Sequence, residues 1–148
     1  MPNEEIKPLS GKEYESVGWS LFETISTYEA LPSGVTLDYQ SLDGTNHIGF
    51  FTVPGGKYTW EDVTGGFGAQ LPFDIVYKLN ASANGQLLTA EEFINKLADY
   101  LSEPPYPVLT GGRTVEKIIM NSVTYRTKAE DDGSVTFARS GVLKYEKV

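Results

Sequence analysis

Three consecutive segments in the second half of the sequence restrict the fold more than any other feature. Residues 67–78 place apolar side chains such as Phe73 and Tyr77 on one parity, which predicts a strand at the centre of a sheet. Residues 89–101 then predict a helix, and residues 114–147 a long antiparallel hairpin. No plausible catalytic cluster interrupts this block, which favours an assembly component over an enzyme.

The helix predicted at residues 89–101 has a distinct start and a distinct stop. Thr89 and Glu92 have the spacing of a capping box, and Pro104-Pro105 prevent continuation. Its apolar face consists of Phe93, Ile94, Leu97, Ala98 and Leu101. In the hairpin that follows, Asp131-Asp132-Gly133 supplies the turn between two runs of apolar residues of one parity. These runs are Val115, Ile119, Val123 and Tyr125, then Val135, Phe137, Gly141, Leu143 and Tyr145.

The first half of the sequence begins with a second helix signal. Ser10 and Glu13 form another capping box, and an apolar stripe with helical spacing follows it. The stripe consists of Tyr14, Val17, Leu21, Phe22, Ile25 and Tyr28. The helix is expected to stop near Leu31, because Pro32 and Gly34 come next.

Two strands then precede the central one. Residues 35–40 alternate apolar and polar side chains, Asp43-Gly44 is a turn signal, and residues 48–53 continue as a strand, so the two are expected to form a hairpin. Residues 80–85 form a polar loop before the second helix. The predicted order is α-β-β-β-α-β-β, an α+β fold with a mainly antiparallel sheet and two helices packed on one face.

Length, charge and cysteine content exclude several classes of protein. A chain of 148 residues fits one domain, residues 1–148, and can bury about 70% of its unfolded surface. The net charge of −8 disfavours phosphate backbones and anionic lipid. The lack of cysteine excludes disulfides and thiolate metal ligands. No apolar run approaches the ~20 residues that span a bilayer, and residues 1–10 do not resemble a signal peptide. We therefore expect a soluble chain with no membrane partner and no specific nucleic-acid partner.

The predicted loop at residues 54–66 is the candidate interface. It combines Lys57, Tyr58, Trp60 and Asp62 with several glycines, and Tyr and Trp are enriched at the energetic centres of interfaces. These side chains are predicted to contact a neighbouring subunit or partner. The alternative is a surface hairpin whose aromatic side chains fold back onto the core.

Arg113 is the fifth candidate, because Gly111-Gly112 precede it and paired glycines can form an anion-binding nest. The sequence lacks the ending of a P-loop, so a turn with a salt-bridging arginine is favoured over an anion site.

The other polar groups give no site. Capping and solvation account for Glu91, Glu92 and Asp99, and a turn accounts for Asp131-Asp132-Gly133 better than a calcium loop does. His47, the single histidine, lacks an obvious catalytic partner. No catalytic, cofactor or metal residue is therefore assigned. The aromatic residues mostly follow core periodicity, but Trp19 lies off the main stripe of the first helix.

Five short motifs occur in order between Trp19 and the end of the chain. They are Asp62-Val63-Thr64-Gly65-Gly66, Leu71-Pro72-Phe73, Leu97-Ala98-Asp99-Tyr100-Leu101, Gly111-Gly112-Arg113-Thr114 and Leu143-Lys144-Tyr145-Glu146. In this order and spacing they resemble the small minor capsid proteins of tailed-phage and prophage morphogenesis clusters, which are related in layout to tail terminator proteins. Residues 1–18 lie outside the resemblance.

The resemblance implies a non-enzymatic virion protein, made in the host bacterial cytoplasm and located at the head-proximal end of the tail. Six copies would form a ring that caps the tail tube protein and joins it to a neck or head-completion protein, with the sheath protein as a further candidate neighbour. Within this family pattern, Arg113 is interpreted as an intersubunit or loop-ordering residue.

The residues themselves leave other functions open. A stand-alone small-ligand-binding or small enzymatic α+β domain would enclose a pocket lined by aromatic side chains between the sheet and the second helix. Within the virion class, a tube or capsid decoration protein is a further alternative. Copy number per particle separates these roles, because a terminator needs one ring and a tube protein needs many.

Overall fold

The computed structural model describes residues 7–80, 84–121, 124–128 and 133–148. Its elements are α1 (Gly11–Ser26), β1 (Thr36–Tyr39), β2 (His47–Thr52), β3 (Lys57–Glu61), β4 (Phe67–Leu79), α2 (Asn84–Ser102), β5 (Arg113–Met120), β6 (Tyr125–Lys128) and β7 (Val135–Lys147). The strands form a seven-stranded sheet with the order β1-β2-β4-β7-β5, in which β3 also pairs with β4, and β6 with β7. The predicted α+β class is confirmed, and the short strands β3 and β6 are added to the predicted order.

The pairing of β4 with β7 organises the core. The two strands have 13 residues each and run antiparallel along their full length, from Phe67 opposite Lys147 to Leu79 opposite Val135. Odd-numbered side chains of both strands point to one face, and all except Phe67, Arg139 and Lys147 are buried. They include Leu71, Phe73, Ile75 and Tyr77 of β4, and Phe137, Leu143 and Tyr145 of β7. The prediction that residues 67–78 form a central strand is confirmed.

Both helices pack on this buried face. Phe22 of α1 contacts Phe50 of β2, and Phe93 of α2 contacts Tyr77 of β4. Tyr28, just after α1, contacts Phe93 and so connects the two helices. The helices therefore form one layer and the sheet forms the other.

The opposite side of the sheet keeps a partial exposure. The even-numbered residues of β4 alternate with buried ones, and none of them is fully buried between positions 70 and 78. We call the surface of β4, β7 and β5 on this side the open face. Its residues on β4 are Gln70, Pro72, Asp74, Val76 and Lys78.

Helix α1 begins as predicted but ends earlier. The Ser10 side chain accepts a hydrogen bond from the Glu13 N–H, which confirms Ser10 as the cap. The helix ends at Ser26 rather than near Leu31. The Ser26 and Thr27 hydroxyls donate to carbonyls of the last turn, and such bonds compete with further helical N–H groups.

Strands β1 and β2 do not form the predicted hairpin. They are parallel, with Thr36 opposite His47 and Tyr39 opposite Phe50. Residues 40–46 carry the chain back to the starting end of β1, and the Asp38 carboxylate holds this connection through the Asp43 N–H at 2.9 Å. The chain does turn after β1, as predicted. It turns a second time before β2, and two reversals make the strands parallel instead of antiparallel.

Helix α2 begins earlier than predicted. It starts at Asn84, so Thr89 lies inside the helix and the capping box with Glu92 is wrong as a helix start. Leu87 packs on the core and Ala90 is buried, which continues the apolar stripe of Ile94 one turn towards the start. Residues 81–83 of the predicted polar loop lie outside the described residues.

The predicted hairpin is confirmed as the antiparallel pair of β5 and β7. A β-bulge between Val115 and Lys117 changes the parity of β5, so Ile118 is buried and Ile119 is 46% exposed, opposite to the expectation. Tyr125, predicted on the same apolar parity, is also exposed. Val123 and Asp131-Asp132 lie outside the described residues.

Candidate assembly surfaces

The predicted loop at residues 54–66 contains a strand. β3 pairs with the start of β4, where Lys57 lies opposite Gln70 and Tyr58 opposite Ala69. On its other edge, the Tyr58 N–H donates to the Lys7 carbonyl at 3.1 Å. The prediction of a loop was wrong for residues 57–61, because backbone hydrogen bonds on both edges hold this segment as a strand. We call β3 with its following turn, residues 57–66, the β3 corner.

The two aromatic side chains of the β3 corner have different environments. Tyr58 is half-buried and packs edge-on against Phe67, with ring centroids 5.1 Å apart. Trp60 follows a bulge and is 41% exposed, and its indole lies over Gly68, where a Cβ would collide with it. The two alternatives raised by the sequence therefore apply to different residues: Tyr58 folds back and Trp60 faces outwards.

Asp62 orders the turn that closes the β3 corner. Its Oδ1 accepts hydrogen bonds from the Thr64 hydroxyl at 2.7 Å, the Thr64 N–H at 3.0 Å and the Gly66 N–H at 2.9 Å. The Thr64 hydroxyl and the backbone donors hold the pKa of the Asp62 carboxyl below its ordinary value. The visible role of Asp62 is thus to shape the turn, and a contact with a partner stays a prediction.

Arg113 lies inside the domain rather than on its surface. Its Nε and Nη2 donate to the two carboxylate oxygens of Glu13 at 2.7 and 2.6 Å. The third nitrogen, Nη1, donates to the Thr110 carbonyl at 2.9 Å and so orders the glycine loop before β5. Arg113 is 7% exposed, so its contacts here are those of a loop-ordering residue. A role between subunits stays a prediction.

A third residue completes this buried cluster. The Tyr145 hydroxyl donates to Glu13 Oε1 at 2.9 Å, and Tyr145 is 1% exposed. The Arg113 guanidinium lowers the pKa of the Glu13 carboxyl against the opposing effect of burial, and Glu13 in turn raises the pKa of Arg113. Burial and the Glu13 charge raise the pKa of Tyr145. All three groups are therefore held in one protonation state, and the cluster ties α1 to β5 and β7.

The capping-box pattern identified Glu13 from the sequence but predicted a different partner for its carboxylate. The capping-box pattern placed Glu13 beside Ser10, but its carboxylate binds Arg113 and Tyr145 instead of returning to the cap. Tyr145 was recognised as core, and a buried tyrosine hydroxyl usually has a partner. That partner could not be identified, because the two residues are 132 positions apart.

The helix layer exposes two aromatic side chains. Trp19 is 48% exposed and stacks on Phe22 with a centroid distance of 5.3 Å. Tyr100 of α2 is 44% exposed and stacks on Tyr28 at 4.6 Å. The position of Trp19 off the main apolar stripe is confirmed, and both rings are supported by a buried or half-buried neighbour.

The histidine has a structural partner. His47 Nδ1 lies 2.7 Å from Asp38 Oδ2, which also accepts the Asp43 N–H. Burial opposes ionisation of Asp38, but the Asp43 N–H and His47 outweigh it and lower the pKa of the carboxyl. The pair holds the connection between β1 and β2. Across the part of the chain that the structure describes, no group of three or more His, Asp or Glu side chains could hold a metal ion.

A cleft of about 670 Å³ lies between the end of β4 and the first turns of α2. Buried Tyr77, Leu79 and Ala90 supply its apolar surface, and amide and hydroxyl groups supply the remainder. The full lining is Pro32, Thr45, Asn46, Tyr77, Leu79, Asn80, Gln86, Thr89 and Ala90.

The architecture is shared with a virion component. A chain in the structure "Virion of native gene transfer agent (GTA) particle" aligns with this fold with a TM-score of 0.66 and 15% sequence identity. The alignment covers 93% of this chain and 99% of that chain. At this identity the similarity shows a common fold. No protein-family model matches the sequence, and no curated protein matches it either.

The helices among the described residues are α1 and α2. Neither α1 nor α2 is both long and apolar enough to cross a bilayer.

Proposed function

We propose that this chain is a non-enzymatic structural virion protein that forms a ring at the head-proximal end of a phage tail tube. The observation that carries the proposal is the nearly full-length fold similarity to a chain of a gene transfer agent virion. The sequence motifs that resemble minor capsid and tail terminator proteins support it independently. In this role the chain ends tube polymerisation and joins the tail to the neck.

A ring explains how a small domain can end a polymer. The last ring of a tube exposes subunit surfaces that would accept another layer, and a terminator complementary to the tube below but different above converts an open polymer into a finite one. The partners are therefore other copies of this chain, in a hexamer, the tail tube protein and a neck or head-completion protein. In a tail with a contractile sheath, the sheath protein is a further neighbour.

The β3 corner is the surface we assign to a partner other than this chain. Trp60 is half-exposed on a strand that is fixed on both edges, so it can act as a rigid aromatic anchor. The Asp62 turn holds the end of that strand in one conformation. A preformed surface loses little conformational entropy on binding.

Cryo-electron microscopy of particles from the producing cell, combined with mass-spectrometric stoichiometry, tests the proposal. We expect one ring of this chain between the tail tube and the neck. Many copies along the tube or over the capsid would instead indicate a tube or decoration protein. Absence from purified particles would overturn the virion role altogether.

The cleft beside α2 favours a second candidate, a stand-alone small-ligand-binding or small enzymatic domain. It predicts a monomer or dimer that retains a bound small molecule. Native mass spectrometry of the chain purified from the producing cell measures this directly. A stoichiometric extra mass that disappears when Ala90 is replaced by Phe would support this candidate, and the bare mass of the chain would count against it.

A further inference from the structure

The two layers of the domain carry different charges. Acidic side chains predominate on the surface of α1, α2 and the turns that follow them. The acids there are Glu15, Glu23, Glu29, Glu91, Glu92, Asp99 and Glu103, and the bases are Lys12 and Lys96. Basic side chains slightly outnumber acidic ones at the register positions of the open face. These are Lys78, Lys117 and Lys144 against Asp74 and Glu146, with Glu116 in the bulge at the outer edge.

The acidic surface of the helices also has aromatic centres. Glu15, Trp19 and Glu23 follow each other at four-residue spacing, so they lie along one side of α1. On α2, Tyr100 lies beside Asp99 and is supported by Tyr28. An exposed aromatic ring surrounded by charge is typical of a binding surface whose centre is apolar.

The open face has apolar side chains at its centre and two lysines beside them. Its centre contains Val76, Val142 and the 46% exposed Ile119, and Val142 lies directly opposite Ile119 in the sheet. Lys117 and Lys144 lie opposite each other in the same strand pair, next to these apolar residues. The bulge in β5 is what turns both Lys117 and Ile119 towards this side.

The size of the open face suits a contact between proteins. At about 3.4 Å per residue, β4 and β7 extend for about 44 Å, and with β5 beside them at a spacing of about 4.8 Å they cover on the order of 600 Å². This approaches the ~800 Å² that each partner buries in an interface of standard size. A neighbour with acidic groups around an apolar centre fits Lys117 and Lys144 beside Ile119 and Val142, and the helix surface of the same domain has this composition.

We infer that the open face of one copy packs against the α1–α2 surface of the next copy. The two surfaces are different patches of the same domain, so the contact is head-to-tail, and a head-to-tail contact closes into a ring when its rotation permits. Opposite charges at the contact reduce the repulsion between chains that each carry a net charge of −8. This inference rests on the proposed ring and identifies the surfaces that build it.

Two charge-reversal variants test this pairing. Glu15→Lys/Glu23→Lys makes the helix surface basic, and Lys117→Glu/Lys144→Glu makes the open face acidic. In each variant alone, the helix surface and the open face carry charges of the same sign. We therefore expect self-association to weaken about tenfold or more. In an equimolar mixture every contact joins opposite charges again, and association should recover. Sedimentation velocity of the full chain at low ionic strength, over a concentration series, measures all three cases.

The outcomes separate a head-to-tail contact from the other possibilities. An isologous contact between two open faces would leave Glu15→Lys/Glu23→Lys unaffected, and an unspecific charge effect would not recover on mixing; either result overturns the inference. A wild-type chain that stays monomeric throughout also overturns it. The control is Lys7→Glu, which reverses an exposed charge beside Glu61, outside both surfaces, and should associate like wild type. Circular dichroism confirms the folding of each variant.

This experiment is independent of the test of the ring itself. If the charge variants fail to show the pairing but microscopy finds one ring at the tail end, other surfaces build that ring and the proposed function stands. If the pairing is confirmed but the chain is absent from particles, the proposed function fails and the self-association surfaces remain.

Discussion

The guanidinium of Arg113 binds the carboxylate of Glu13 through two hydrogen bonds, although 100 positions of the chain separate the two residues. Both side chains are almost fully buried, at 5% and 7% exposure. Ion pairs of this kind are costly to break, because the remaining charge stays buried without a partner. This relationship makes the junction of α1, β5 and β7 the place where single substitutions have the largest predicted effect.

Removing the arginine should destabilise the fold strongly. We expect Arg113→Ala to lower the free energy of unfolding by about 3–5 kcal/mol, because Glu13 remains buried and unpaired. Urea unfolding measures this change. Lys7→Ala is the control, since it breaks the exposed ion pair with Glu61 and should cost less than about 1 kcal/mol. Glu13→Met/Arg113→Met should be less destabilised than Arg113→Ala, because it leaves no buried charge without a partner. If this double variant, Arg113→Ala and Lys7→Ala all lost the same free energy of unfolding, the role of the buried pair would be contradicted.

Stability should depend on the ionisation of Glu13. The pKa of Glu13 in the folded state is lowered from its ordinary value of 4.5, so its contribution is complete above that pH and is lost as the pH falls through the folded-state pKa. Glu13→Gln removes this contribution. The difference in unfolding free energy between wild type and Glu13→Gln should therefore shrink as the pH is lowered below 4.5. A difference that is constant with pH would show that the pKa of Glu13 is the same in the folded and unfolded chains, and would contradict the lowered pKa.

The connection between β1 and β2 should depend on Asp38. Asp38→Ala leaves the Asp43 N–H and the His47 ring without their acceptor, which should cost about 1–3 kcal/mol. Asp43→Ala keeps the backbone N–H and changes only an exposed side chain, so it should stay within about 0.5 kcal/mol of wild type. Thermal unfolding of the two variants compares them directly, and the reverse order would disprove this role for the carboxylate.

A methyl group at Gly49 should be poorly tolerated. A Cβ there would collide with the Ser41 carbonyl, which is backbone and cannot rotate away. We expect Gly49→Ala to cost about 1–3 kcal/mol, the usual range for overpacking. Gly11→Ala places the same methyl group in open space at the start of α1, where it should be neutral or stabilising by up to about 1 kcal/mol. Similar unfolding midpoints for both variants would mean that residues 40–46 do not cover Gly49.

Trp60 should matter more for assembly than for folding. The side chain is 41% exposed, so Trp60→Ala is expected to change stability by less than about 1 kcal/mol while reducing incorporation of the chain into particles. Quantitative mass spectrometry of purified particles measures the incorporation. Trp19→Ala serves as a comparison on another surface. Normal incorporation of Trp60→Ala together with a large loss of thermal stability would assign Trp60 to the core.

The elements that follow a plain periodicity could be predicted from the sequence. The buried parity of β4 and β7 was visible because apolar side chains recur at odd positions along most of both strands. The parity of β5 was not, because the bulge at Val115 exchanges the roles of Ile118 and Ile119 and leaves no mark in the apolar pattern. The direction of β1 relative to β2 was also missed, since a turn signal cannot distinguish one reversal from two.

In the candidate site, too, local features could be predicted from the sequence and long-range contacts could not. Local chemistry correctly indicated that Ser10 caps α1, but it left open whether Trp60 is exposed or folds back onto the core. The buried position of Arg113 depends on Glu13 and Tyr145, and pairs so distant in sequence become apparent only when the sheet is assembled. Sequence patterns report neighbours within one element, whereas this cluster joins three elements.

The position of β7 has a consequence for how the chain is made. β7 comes after every other described strand, yet it lies between β4 and β5 and also pairs with β6. While residues 135–147 are still inside the ribosome, β4 exposes a full row of unsatisfied backbone groups and β5 has no partner strand. The complete sheet therefore forms only after β7 has left the ribosome, and until then the nascent chain exposes an unpaired edge of β4 that is prone to aggregation.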